Sequence, residues 1–112
     1  LAQDTKFFDS FIRLVNSSVS VLLMCRVVNY DASNKRADVQ PLNLKQNGKK
    51  RGMILDALVL KHVEEDISEG KIVAIVFSDC ELDNINGAAD FKPDSSRQHS
   101  VNDAVVMGVW DV

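Results

Sequence analysis

From residue 19 onward the chain reads as five apolar segments separated by turn residues, with no helix of ordinary length between any two of them. Parallel neighbours in a sheet need long crossovers, usually helical, so this pattern excludes a doubly wound α/β fold. Residues 19–30 are rich in Val and Leu, with Val19, Val21, Leu23, Cys25 and Val27 in phase, and predict a long first strand. Asp31 to Lys35 is a turn. Ala37, Val39, Leu42 and Leu44 predict a second strand whose alternation slips at Pro41, where a bulge or an edge is expected. Asn47-Gly48 is the strongest turn signal of the chain. Met53 to Val63 predicts a third strand with Ile54, Leu58 and Leu60 in phase, ended by Glu64-Glu65-Asp66. After a turn at Glu69-Gly70, the uniformly apolar Ile72 to Phe77 predicts a central strand buried on both faces. Ala104 to Trp110 is the last strand. The expected fold is mainly β: a five-stranded Greek-key barrel of the OB type.

A different period precedes the strands. Between Asp4 and Ser17, Phe7, Phe8, Phe11, Ile12, Leu14 and Val15 recur at three- and four-residue spacing, which predicts an amphipathic helix. Asp4 can cap its start, and Asn16-Ser17-Ser18 can end it. The division is therefore 1–18 for the helix and 19–112 for the barrel. The face formed by Phe7, Phe8, Phe11, Ile12 and Val15 has two uses: packing on the domain's own core, or docking a partner protein.

The chain has 112 residues, one domain's worth, and 46% hydrophobic residues supply a core. Its net charge of −3 argues against a protein that grips many phosphates, so no nucleic-acid partner is expected. The one basic cluster, Lys45 to Arg51, surrounds Asn47-Gly48 and reads as a solvated hairpin tip. No apolar run reaches the ~18 residues that span a bilayer, and acidic and aromatic residues interrupt the N-terminal stretch where a signal peptide would lie. The two cysteines, Cys25 and Cys80, are far apart and outside any CxxC pair, and with only two histidines a zinc site is short of ligands. Sequence leaves open whether the two thiols pair.

The remaining stretch, Ser78 to Asn102, is polar and too long for an idle loop in a compact domain. It ends in Arg97-Gln-His99-Ser100-Val-Asn-Asp103, where an Arg, a His and an Asp stand close together just before the last strand. A His oriented by a carboxylate is the base of a nucleophilic triad, and Ser100 or Ser78 could supply the hydroxyl, but no G-x-S-x-G elbow is present. The other reading is a clasp in which Arg97, His99 and Asp103 bond to one another and to loop backbone, closing the loop over the barrel. The acids Asp79, Glu81, Asp83 and Asp90 suggest loose calcium binding, without the spacing of an EF-hand. His62 with Glu64, Glu65 and Asp66 matches no metal motif. No catalytic residue, metal or other cofactor is expected.

Four blocks, in order, resemble a known family. They are Cys25-Arg-Val-Val-Asn-Tyr-Asp31, Ala37-Asp-Val-Gln-Pro41, Glu69-Gly-Lys-Ile-Val-Ala-Ile-Val-Phe77-Ser78-Asp79, and Arg97-x-His99-Ser100-x-x-Asp103-Ala104-x-x-x-Gly108. Together with the leading helix they resemble the N-terminal OB domain of phage membrane-puncturing spike proteins, the central spikes of contractile-tailed phages and PBSX-like prophages. Lys71 departs from the pattern, standing where an acidic residue commonly follows the turn glycine. The family's β-helical shaft and tip lie downstream of this domain and are not in this sequence, so no direct membrane insertion by this chain is expected.

The resemblance implies a non-enzymatic structural protein of the virion tail, assembled in the bacterial host cytoplasm. It implies a homotrimer that attaches the cell-puncturing spike to the tail hub and baseplate. It makes Arg97, His99, Ser100, Asp103 and Gly108 a structural clasp and Phe77-Ser78-Asp79 a strand-to-turn motif. The alternative is an OB-fold binding module for single-stranded nucleic acid or oligosaccharide, motivated by the barrel pattern and the basic tip.

Overall fold

The computed structural model describes the backbone of residues 2–18 and 21–111, and the side chains of residues 5–13 and 21–111. Helix α1 (Ala2–Ser18) is followed by β1 (Leu22–Asp31), β2 (Arg36–Pro41), β3 (Ile54–Val59), β4 (Ile72–Phe77) and β5 (Ala104–Trp110). The strands close into a barrel in the order β1-β2-β3-β5-β4. β1 is long enough to serve two neighbours: Cys25 sits opposite Pro41 on β2 and opposite Val73 on β4. All pairings are antiparallel except β3 with β5, which meet in parallel over Leu58–Val105 and Val59–Val106. The result is the expected OB-type barrel with one helix before it.

The barrel interior is filled by β-branched and small residues from alternate positions of every strand. Val27, Val39, Ile75, Val73, Val106 and Cys25 are fully buried, as the pleat requires of one face. Between β3 and β4 the chain makes a short 3-10 turn, Lys61–Val63, in place of a longer helix. Val63 and Ile67 from this connection join the core.

The second strand stops at Pro41, earlier than its apolar pattern predicts. Leu42 and Leu44 are exposed in the following loop. Proline has no N–H to offer a further β3 partner, and β3 has already begun opposite Val39. The bulges lie elsewhere, at Val28 on β1, at Leu55-Asp56 on β3 and at Met107 on β5.

The β3 bulge resets the phase of that strand. Two residues, Leu55 and Asp56, oppose the single residue Asp38. Asp56 adopts the left-handed region (φ +56°), and its N–H donates to the Asp38 carboxylate at 3.0 Å. Ile54, Ala57 and Val59 therefore point inward, while Leu58 and Leu60 are only half-buried and the strand ends at Val59. The prediction of Ile54, Leu58 and Leu60 on one face to Val63 fails for this reason.

β4 alternates instead of being buried on both faces: Val73, Ile75 and Phe77 are buried, and Ile72, Ala74 and Val76 are half-covered. Among the described residues no second layer packs outside the barrel. Asn47-Gly48 forms its turn as expected, with Gly48 at φ +81° and its N–H donating to the Lys45 carbonyl at 2.9 Å.

Helix α1 leaves the described part of its apolar face open. Phe7, Phe8, Phe11 and Ile12 are 74%, 63%, 52% and 41% exposed. Packing on the domain's own core is not what these four do; the side chain of Val15 lies outside the described residues. Among the described residues no helix is long and apolar enough to cross a membrane.

Candidate functional site

The long β4–β5 loop begins where β4 hands Phe77 to the core and releases Ser78-Asp79 outward. Its two ends are stitched together by backbone. The Ser78 N–H donates to the Asp103 carbonyl at 2.9 Å, and the His99 N–H donates to the Ser78 carbonyl at 2.8 Å. To reach Ser78, His99 takes a left-handed conformation (φ +51°), which is strained for a residue with a Cβ. Ser100 starts the 3-10 turn Val101–Asp103, its hydroxyl accepting from the Asn102 N–H at 3.2 Å.

At the centre stands Arg97. Its Nε and Nη2 donate to the two oxygens of Asp103, both at 2.7 Å. Asp103 is 1% exposed, and its Oδ1 also accepts from the Leu82 N–H at 3.0 Å. The guanidinium further reaches Asp83 at 3.2 Å and Glu81 at 3.4 Å. Glu81 is 2% exposed and accepts from the Ser95 hydroxyl and from the Asp94 N–H at 3.2 Å. One planar cation thus ties three acids from both ends of the loop, a geometry that suits arginine's fork of donors and not lysine's single ammonium.

These contacts divide the residues singled out from sequence. Arg97 and Asp103 form the clasp as expected. His99 bonds to neither: its Nε2 lies 3.2 Å from Asp79 Oδ1, and its Nδ1 is buried without a partner. Both Asp103 oxygens are taken by Arg97 and Leu82, so the His99–Asp103 pair of a catalytic triad is not formed. Ser78 Oγ accepts from the Cys80 N–H at 3.2 Å. Gly108 lies outside the clasp, mid-strand opposite Ala74 and beside a bulge at Met107. A Cβ there would meet nothing within 4 Å, so close packing does not demand glycine.

Glu81 has a different role from the loose calcium ligand that its spacing suggests. Grouped with Asp79, Asp83 and Asp90 as a loose calcium ligand, it instead faces Arg97 from the interior. The arginine at the far end of the same loop was the available signal. Among the described residues no group of three or more His, Cys, Asp or Glu side chains could hold a metal ion. His62 is used structurally, its Nε2 lying 2.9 Å from the Met107 carbonyl. A polar cleft of about 750 Å³ opens beside the clasp, lined by Asn34, Arg36, Asp56, Asp83, Arg97 and Asn102 among others.

The clasp has an acid limb. Hydrogen bonds from Arg97, helped by the Leu82 N–H, hold the Asp103 carboxyl below the usual carboxylate range. Its folded pKa lies under its unfolded value of about 3.9, so its stabilisation is complete above that pH and is lost as pH falls through the folded value. Asp31, bonded by the Ser33 hydroxyl and the Asn34 side chain, is shifted the same way. A urea-midpoint titration from pH 6 to pH 2 should fall steeply below about pH 4, and Asp103→Asn should flatten that fall.

The cysteines are both free. Burial pushes the Cys25 thiol up to about 11, so at neutral pH it is protonated and unreactive. Cys80 is half-buried in the loop. Iodoacetamide should therefore label one thiol per native chain, none in Cys80→Ser, and both in urea-unfolded protein.

No protein-family model matches this chain, and no curated protein matches it.

Proposed function

We propose that the chain is a structural adapter of a phage or prophage tail: a homotrimeric OB-fold domain that attaches the central spike to the tail hub. The observation that carries this reading is the open aromatic face of α1, on a domain whose barrel core is already filled by its own strands. Three phenylalanines of about 150–250 Å² each, more than half exposed, offer on the order of 450 Å² with Ile12, roughly half of what one partner gives to a standard interface. The order of the four sequence blocks and the long loop fastened by Arg97 and Asp103 support the same assignment. In it, the clasp residues hold shape and do no chemistry.

Sedimentation velocity over a range of concentrations tests the reading. A trimer is expected, converted to monomer by Phe8→Asp with Phe11→Asp. A chain that stays monomeric at high concentration overturns it. If the monomer instead binds single-stranded DNA at low salt, the binding-module reading takes its place.

A further inference from the structure

Two loops of the barrel, β2–β3 and β4–β5, carry opposite charge. The β2–β3 loop, residues 42–53, holds Lys45, Lys49, Lys50 and Arg51 and no acid. The β4–β5 segment, residues 78–103, holds six acids against Lys92 and Arg97. Each loop is thus four charges from neutrality, with opposite sign. Strand directions put both at one end of the barrel. β1 runs from that end, β2 and β4 run toward it, and β3 and β5 start from it.

The loops do not satisfy one another within the chain. All four basic side chains are exposed, and none is in an ion pair among the described residues. Asp83 is spoken for by Arg97, and Asp79 by His99. Asp90 and Asp94 project from the loop with exposed side chains.

The geometry points to a second copy of this chain as the occupant of the basic loop: residues 42–53 of one protomer dock against the acidic β4–β5 loop of the next. Two different patches on one chain make a head-to-tail contact, which closes into a ring when the rotation between copies allows. Because both patches lie at the same end of the barrel, each copy presents donor and acceptor at the same level. This contact rests on the trimeric reading above and names surfaces for it. Leu44 and Met53, exposed on the basic loop, add apolar area to the charge match.

Charge reversal tests it, on the 112-residue chain, with the fold checked by its urea midpoint. Lys49→Glu with Lys50→Glu and Arg51→Glu should weaken self-association by about 100-fold, since like charges then face each other. Adding Asp90→Lys and Asp94→Lys to the same chain should restore it, and high salt should weaken self-association of the parent protein. If the reversed chain stays a trimer at low salt, this contact is wrong while the trimeric reading stands. If association is lost and the combined variant does not regain it, the acidic loop is not the partner surface. If the parent is monomeric at low salt, both readings fail. An unchanged trimer that loses binding of a single-stranded oligonucleotide on reversal would assign the basic loop to nucleic acid and overturn the proposal.

Discussion

Arg97→Ala is expected to lower stability by about 3 kcal/mol, read as the shift in urea midpoint at pH 7. The change leaves two buried carboxylates, Asp103 and Glu81, without their cation. Removing one partner of a buried pair costs about 3–5 kcal/mol, and the arginine's own 30% exposure places this case at the lower end. Against a domain stability of about 5–15 kcal/mol the loss is large. Arg97→Lys should recover only part of it, because an ammonium cannot bond both Asp103 oxygens in one plane. Limited proteolysis gives a second readout: cleavage within 78–102 should rise in Arg97→Ala before the barrel itself is cut. An unchanged urea midpoint would mean that the loop is not fastened by this residue.

Ile75→Ala should cost slightly more, about 3–4 kcal/mol, because a fully buried side chain is lost from a barrel whose closed wall resists collapse. Leu55→Ala, on the outward side of the β3 bulge, should shift the urea midpoint by no more than about 0.5 kcal/mol. The two variants together test the phase of the barrel wall. If Leu55→Ala were as damaging as Ile75→Ala, the bulge at Asp56 would be misplaced.

Much of this wall was legible in the chain. β5 begins and ends at Ala104 and Trp110 as its apolar run predicts, although a bulge at Met107 shifts the phase of its second half. The helix period of the Phe-rich segment was equally plain. The phase of β3 is not legible locally, because it depends on Asp38 and Asp56, two polar residues whose carboxylate-to-amide bond is a tertiary contact with no local signature. The apolar Leu42 and Leu44 extend the predicted β2 too far, although Pro41, its last residue, carries the stop. In the loop, the spacing of Arg97 and Asp103 exposed the clasp. The role of Glu81 is hidden in the sequence, since fifteen residues of loop separate it from the arginine it faces. The His99 imidazole meets Asp79 and not Asp103, because the backbone twist that turns it there is not written in its residue type.

The strand order also fixes a sequence of events during synthesis. β1 to β4 can pair as an open four-stranded sheet, β3-β2-β1-β4, as soon as residue 77 has left the ribosome. That intermediate has two free rims, and unpaired rims are templates for joining another chain. β5 fills both at once, with β4 on one side and β3 on the other. Until Ala104 to Trp110 has emerged, the nascent domain is therefore most prone to pair with its neighbours on the polysome. The last-made strand acts as a keystone, and the fastened loop before it sets how soon that keystone finds its slot.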